Sequence, residues 1–236
     1  MSAALYIVAE GDTEERFANQ VLVPHLVTHD VCAYVSKVVT HGRRGRPLAQ
    51  GGGCTYSAWK NDLTTWIKQQ SHRADAWFTS MLDLYGLGAL SDGFPGYEAC
   101  KELADPYEKV AHLEQAWAQD IACHHFVPHL QLHEFEALLL VDPSVLKHQF
   151  IEQADAVARL VAAIAATAKQ PEEIDDGPET APSKRIIVYL PQYGRRKADA
   201  GPSAAQEIGL PRLREACPHF GKWVARLEAL GAGGNL

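Results

Sequence analysis

The stretch Ala3-Ala4-Leu5-Tyr6-Ile7-Val8-Ala9-Glu10-Gly11-Asp12-Thr13-Glu14-Glu15 decides the fold class. Ala3–Val8 is a short apolar run suited to a buried strand. It gives way to a carboxylate, Glu10, and then to a glycine that permits a tight turn. Thr13 to His29 reads as a helix with Phe17, Val21 and Leu22 on one side. The pattern then recurs. Val31–Val39 is rich in β-branched residues and reads as a second strand. Ser57 can cap a helix reaching to about Gln70, which carries Trp59, Leu63 and Trp66. Ala76–Leu82 is a third strand, ending at Asp83. Beyond a glycine-rich loop, Gly86 to Gly96, a helix from about Pro106 to Ala122 leads to a fourth strand, Phe126–Leu132. Strands that alternate with helices imply βαβ units, hence an α/β fold with a mainly parallel four-stranded sheet flanked by helices.

From about Asp142 the strand signal fades. Ile151–Ala168 is an alanine-rich helix, and Lys169 to Pro182 is an acidic, proline-bearing loop. Ser183–Leu190 reads as either helix or strand, and further helices are expected at Ala204–Ile208 and Leu210–Leu230. Residues 1–141 are thus expected to form the α/β core. Residues 142–236 should form a helical C-terminal extension packed on that core, not an independent domain.

Composition narrows the classes. The 236 residues are 47% hydrophobic and 22% charged, enough for a sizeable core and unlike a disordered chain. Lys and Arg total 22 against 29 Asp and Glu, a net charge of −7, which argues against coating duplex nucleic acid by charge alone. The best apolar run, Ala154 to Ala168, is broken by Asp155 and Arg159 and falls short of the roughly 20 residues a membrane span needs. The N-terminus opens directly into a strand pattern, so no signal peptide is expected. Five scattered cysteines with no Cys-x-x-Cys pair exclude a zinc ribbon and suit a reducing cytoplasm.

Sites in parallel sheets lie beyond the carboxyl ends of the strands. Here those ends carry Glu10, Asp83 and the segment His133-Glu134-Phe135-Glu136, with Glu14 one helical turn beyond Glu10. Carboxylate oxygens are the hard ligands that Mg²⁺ or Mn²⁺ prefers, and two such ions can clamp the attacking and leaving oxygens of a phosphodiester. A plainer reading competes: Asp12, Glu14 and Glu15 complement a helix dipole, and Asp83 forms a turn. In a strand Glu134 and Glu136 would share a face; in a helix they would sit about 200° apart. Leucines 138–140 favour a buried helix, so one carboxylate should face the site and the other should meet backbone or a basic neighbour.

Ala137 rules out a His-Glu-x-x-His metalloprotease motif, and Pro128 prevents His124, His125, His129 and His133 from sharing a helical face, so no zinc site is expected from them. Basic residues cluster at Arg43, Arg44 and Arg46, at Lys184 and Arg185, and at Arg195, Arg196 and Lys197. Each group lies in or beside a loop, where it can contact phosphates or simply remain a solvated surface.

Several motifs carry a resemblance. They are Glu10-Gly11-Asp12-Thr13-Glu14-Glu15, Met81-Leu82-Asp83-Leu84-Tyr85-Gly86-Leu87, Gln131-Leu132-His133-Glu134-Phe135-Glu136-Ala137-Leu138-Leu139, Asp176-Gly177-Pro178-Glu179-Thr180-Ala181-Pro182-Ser183-Lys184-Arg185 and Cys217-Pro218-His219-Phe220. Together they resemble the bacterial domain-of-unknown-function family 4276, which looks Toprim-like and is similar to the overcoming-lysogenisation-defect nuclease branch. The resemblance implies a Toprim-like core that binds Mg²⁺ or Mn²⁺. It carries Glu10, Glu14 and Asp83 over as metal ligands, favours Glu136 narrowly over Glu134, and gives Lys184 the part of the branch's late lysine. The branch's Asp-x-Asp is Asp83-Leu84-Tyr85 here, so a second aspartate is missing. An AAA- or ABC-type ATPase partner and a role in phage defence are implied by analogy.

The expected function is a divalent-metal-dependent nuclease acting on nucleic acid, DNA before RNA, with Glu10, Asp83 and Lys184 as catalytic groups. The alternatives are a non-catalytic partner or regulator of an ATPase, and a phosphohydrolase acting on nucleotides.

Overall fold

The computed structural model describes residues 2–38, 55–90, 93–174 and 180–233. Strand β1 (Ala3–Ala9) is central. It pairs in parallel with β2 (Val31–Lys37) on one side and β3 (Ala76–Asp83) on the other, so that Leu5 sits between Ala33 and Trp77. The fourth expected strand is split into β4 (Phe126–Val127) and β5 (Leu130–Gln131), both parallel to β3. Pro128 lies in the break and has no N–H to give a ladder. Side chains of β3 bridge the gap. Thr79 Oγ1 donates to the Val127 carbonyl at 2.6 Å, and Ser80 Oγ bonds both the carbonyl and the N–H of His129 at 3.1 Å.

The order β2-β1-β3-β4, with every pairing parallel, is the α/β arrangement the strand–helix alternation predicts. The chain runs outward from β1 to β2, then returns to the other side of β1 for β3. That reversal opens a crevice beyond the ends of β1 and β3, the usual ligand position in such sheets.

Helices cover both faces. After β1 come α1 (Asp12–Phe17), a π-helical turn (Ala18–Leu22) and α2 (Val23–Val27), together the helix expected there. Helix α3 (Tyr56–Gln69) is capped by Thr55, not Ser57: Thr55 Oγ1 accepts the Ala58 N–H at 3.1 Å. After α4 (Tyr97–Cys100), helix α5 (Pro106–Ile121) starts at Asp105, whose carboxylate accepts the N–H groups of Tyr107 and Glu108. Strand side chains alternate between two cores. Val8, Phe78 and Leu82 pack with Trp59, Leu63, Val110, Leu113 and Trp117 of α3 and α5. Leu5, Ile7 and Met81 pack with Phe17 and the C-terminal helices.

Those C-terminal helices are α6 (Leu146–Gln149), α7 (Ala154–Ala165), α8 (Pro182–Tyr189), α9 (Tyr193–Ile208), α10 (Leu210–Ala216) and α11 (Pro218–Ala229). The segment open to two readings is thus helical. Helix α9 extends well beyond the expected Ala204–Ile208, because Gly194, Gly201 and Pro202 dilute its helical signal. Gly201 is there for proximity: a Cβ on it would stand 3.2 Å from the Phe135 ring. The expected Leu210–Leu230 helix divides at Cys217-Pro218. The new N-terminus, at α11, is capped by the buried Glu172, which accepts the N–H groups of His219 (2.9 Å) and Phe220 (3.0 Å). Among the described residues, no helix is long and apolar enough to cross a membrane.

Candidate metal centre

Four segments meet at the crevice. Glu10 extends the β1–β3 ladder with its N–H on the Met81 carbonyl at 2.9 Å, and its Oε2 accepts the Asp83 N–H at 2.8 Å. Gly86 leaves room for it, since a Cβ there would lie 3.1 Å from Glu10 Oε1. Glu14, on α1, is buried. Asp83 ends β3, and its Oδ1 is buried without a hydrogen-bond partner. Glu10 and Asp83 keep a partly exposed edge while packed protein surrounds their carboxyls, the situation of groups on a crevice floor.

The fourth strand exit turns sharply. His133 holds a left-handed backbone (φ 63°), costly for a residue with a Cβ. It is held by its Nε2, 2.9 Å from the Glu172 carbonyl, and by its own carbonyl, which accepts the Tyr85 N–H at 3.0 Å. Glu134 follows in extended backbone, and a 3₁₀ helix then runs Phe135–Val141. Leu138, Leu139 and Leu140 are all buried, each contributing about 2 kcal/mol that fixes the segment. Glu134 Oε2 accepts the Ser183 N–H at the start of α8, 2.9 Å away. Glu136 is buried, and its Oε1 accepts from Tyr193 Oη at 3.1 Å and lies 3.3 Å from Lys197 Nζ. The sequence predicts one carboxylate facing the site and the other on backbone or a basic neighbour; in the structure Glu134 meets backbone and Glu136 meets Tyr193 and Lys197.

The electrostatics follow from burial. It raises the Glu14 carboxyl to about 8, with the charges of Glu10 and Glu136 adding to the effect. It also raises Glu10, where Glu134 and Glu136 add and the Asp83 N–H opposes. Asp83 is pushed well above the aspartate range, by burial first and then by Glu10, Glu14, Glu136 and Glu134. Glu136 is raised by burial against the opposing pull of Lys197. Burial works to lower Lys197, but Glu136 and Glu134 outweigh it and keep the ammonium charged.

Buried acids that raise one another lack positive charge. Carboxylate donors and the unpartnered Asp83 Oδ1 suit a hard cation such as Mg²⁺ or Mn²⁺. The carboxyls are not drawn into a tight cage. Among the described residues, the triads of His, Cys, Asp or Glu with ligand atoms within 4.8 Å of one another lie elsewhere, at His25–His29–Glu228 and Glu114–His129–His219. The hydrogen bonds of Glu10, Glu134 and Glu136 anchor those carboxylates to different walls of the crevice.

Other candidates fall as follows. Lys184 is exposed on α8, and the lysine brought to the carboxyls is Lys197, which the sequence groups with surface cations. Arg185 is half-buried on the same helix, and Arg195 is exposed. Arg196 donates to the Gln149 carbonyl at 2.9 Å and lies 5.0 Å from the Phe150 ring centre, so it is engaged within the fold. Arg43, Arg44 and Arg46 lie outside the described residues. Beside the centre, a cavity of about 540 Å³ is lined by Tyr85, Tyr97, Tyr107, Lys101, Lys109 and Lys169 among others. Leu84, Tyr85 and His133 of its lining stand in the motifs quoted above, while its lysines are scattered through the sequence and form none.

A family model described as "Domain of unknown function (DUF4276)" matches residues 9–228. The chain belongs to this family. The match takes in both the sheet and the C-terminal helices, and so every carboxylate of the centre together with Lys197. No curated protein matches this DUF4276 chain. Among solved structures it is similar to the C-terminal region of the OLD protein of Xanthomonas campestris pv. campestris, at 16% identity over 95% of each chain and a TM-score of 0.36.

Proposed function

We propose that this DUF4276 protein is a Toprim-like, divalent-metal-dependent nuclease that works with an ATPase partner in phage defence. One observation supports this above the rest: burial and the charges of neighbouring carboxylates, Glu134 and Glu136 among them, push Glu10, Glu14 and Asp83 up at the switch point of a parallel sheet. Glu10, Glu14, Asp83 and Glu136 are the residues to hold Mg²⁺ or Mn²⁺. Asp83 Oδ1 is the oxygen with capacity to spare. Glu134 secures the start of α8 and adds negative charge. Bound ions would activate water and stabilise the departing oxygen of a phosphodiester.

Lys197 takes the part that resemblance gives to Lys184. It is held charged beside Glu136, where it can offset negative charge growing on a phosphoryl oxygen. Tyr193 orients Glu136 through its hydroxyl. The cavity alongside offers tyrosine faces for stacking unpaired bases and lysines for the backbone, the pairing that single-strand binding uses.

The test is cleavage of single-stranded and duplex DNA and RNA by the purified chain with Mg²⁺ or Mn²⁺. DNA cleavage is expected, with loss in Glu10→Gln and Asp83→Asn. Undiminished activity in both variants defeats the proposal. A second reading, a non-catalytic partner of an ATPase, is favoured by Tyr85 standing where the nuclease branch has its second aspartate. It predicts that calorimetry finds no Mg²⁺ or Mn²⁺ bound, with or without nucleic acid.

A further inference from the structure

A second cluster lies between α5, the β4–β5 break and the start of α11. His129 sits in the break and is fully buried, its ring stacked on Trp223 (4.1 Å between centres, 8° between planes) and on His219 (5.1 Å). Neither ring nitrogen of His129 has a hydrogen-bond partner. The Gln131 carboxamide interacts with the ring but makes no bond of normal geometry. A phenyl ring would stack on Trp223 equally well and leave nothing polar unsatisfied, so packing alone does not account for an imidazole here.

Metal-ligating atoms converge at this point. Glu114 Oε1 lies 3.8 Å from His129 Nδ1 and 3.0 Å from His219 Nε2, and all three ligand atoms are within 4.8 Å of one another. A tetrahedral zinc ion with bonds of about 2.0–2.2 Å spaces its ligand atoms roughly 3.3–3.5 Å apart. The three side chains also line a cavity of about 260 Å³ shared with Tyr107, Lys222 and Arg226.

We propose that Glu114, His129 and His219 form a transition-metal site of zinc type, separate from the carboxylate centre, with its fourth position open to this cavity. Two imidazoles and a carboxylate select Zn²⁺ or Co²⁺ over Mg²⁺. Burial, reinforced by His219, holds the His129 pKa well below the histidine range, so the ring is neutral, the form that binds metals. Glu114 is already oriented by the Leu130 N–H at 2.8 Å. His219 Nε2 now lies 3.0 Å from Glu114 Oε1 and 3.1 Å from the Leu130 carbonyl. Glu114 favours the charged ring against the opposing effect of burial; on binding the imidazolium gives its Nε2 proton to solvent, offers that lone pair to the ion and keeps its Nδ1 hydrogen. The neighbouring cations Lys222 and Arg226 suit a neutral or anionic oxygen in the fourth position. The other triad, His25–His29–Glu228, carries no such case: neither histidine is buried, and its Glu228 is ion-paired with the permanently charged Arg214 guanidinium rather than held by a neutral backbone N–H.

The experiment titrates chelator-treated, full-length protein with Zn²⁺ and Co²⁺, read by calorimetry, visible absorption and melting temperature. Asp83→Asn should take up a single Zn²⁺ and wild type at least one; both should show the absorption of tetrahedral Co²⁺ and melt higher with Zn²⁺. Glu114→Gln and His129→Phe should bind at least tenfold more weakly. Without metal, His129→Phe should melt no lower than wild type. Absence of Zn²⁺ and Co²⁺ binding in wild type overturns the proposal, as does wild-type affinity in Glu114→Gln. The Asp83→Asn control separates this outcome from failure of the carboxylate centre.

Discussion

Replacing Glu14 with glutamine should make the metal-free protein more stable, because this carboxyl opposes folding at neutral pH. Burial, then the charges of Glu10 and Glu136, raise it from 4.5 to about 8. In the unfolded chain it returns to the lower value. Between those values the folded protein holds a proton that the unfolded chain has lost, so stability falls as pH rises through the window. At pH 7 the unfolded carboxyl is about 2.5 pH units past its midpoint, which at 1.36 kcal/mol per unit amounts to roughly 3 kcal/mol. Glutamine has no such proton to lose. In chelator at pH 7, Glu14→Gln should therefore gain roughly 3 kcal/mol and melt roughly 6–12 °C higher. At pH 4.5, where wild-type Glu14 is largely protonated when folded, the gain should nearly vanish. With Mg²⁺ the order should reverse if Glu14 is the ligand proposed above, because the variant lacks it. Urea unfolding followed by tryptophan fluorescence between pH 4.5 and 8 measures all three. A variant less stable than wild type at pH 7 in chelator, or a gain that ignores pH, refutes the reasoning.

On the proposed nuclease reading, Lys197→Met should lower the cleavage rate constant by roughly 100-fold, as removal of a charge-stabilising donor does elsewhere, while Lys184→Ala leaves it nearly unchanged; single-turnover kinetics on both variants checks this. Gly86→Ala should weaken Mn²⁺ binding by roughly tenfold at little cost in stability, since its Cβ would press on Glu10 Oε1; calorimetry beside a melting curve separates the two effects. Glu172→Ala should cost about 3 kcal/mol, because it leaves the N–H groups of His219 and Phe220 at the start of α11 without their acceptor. The urea midpoint should fall with its slope unchanged.

The sheet was legible because its strands are apolar runs that stop abruptly at Glu10 and Asp83, so strand ends and site carboxylates are the same signal. Glu134 and Glu136 were legible as a pair, and leucines 138–140 as the buried segment that holds them. Lys197 was not legible. It sits beside two arginines and reads as surface, and its helix was expected to start only at Ala204. The glycines and proline that weaken α9 on paper let it pack against α1 and the 3₁₀ helix, a tertiary gain that propensity does not register. Glu114 and His219 approach His129 from distant helices, so no spacing rule applied to the sequence pairs them.

Helix α9 also sets the order in which the centre can mature. During synthesis the strands bearing Glu10 and Asp83 leave the ribosome well before Tyr193 and Lys197. Until those two arrive, the nascent core holds its acids with neither the ammonium nor the hydroxyl that steadies Glu136. A partly made chain therefore carries the carboxylate cluster without the charge that offsets it, and docking of α9 completes that balance.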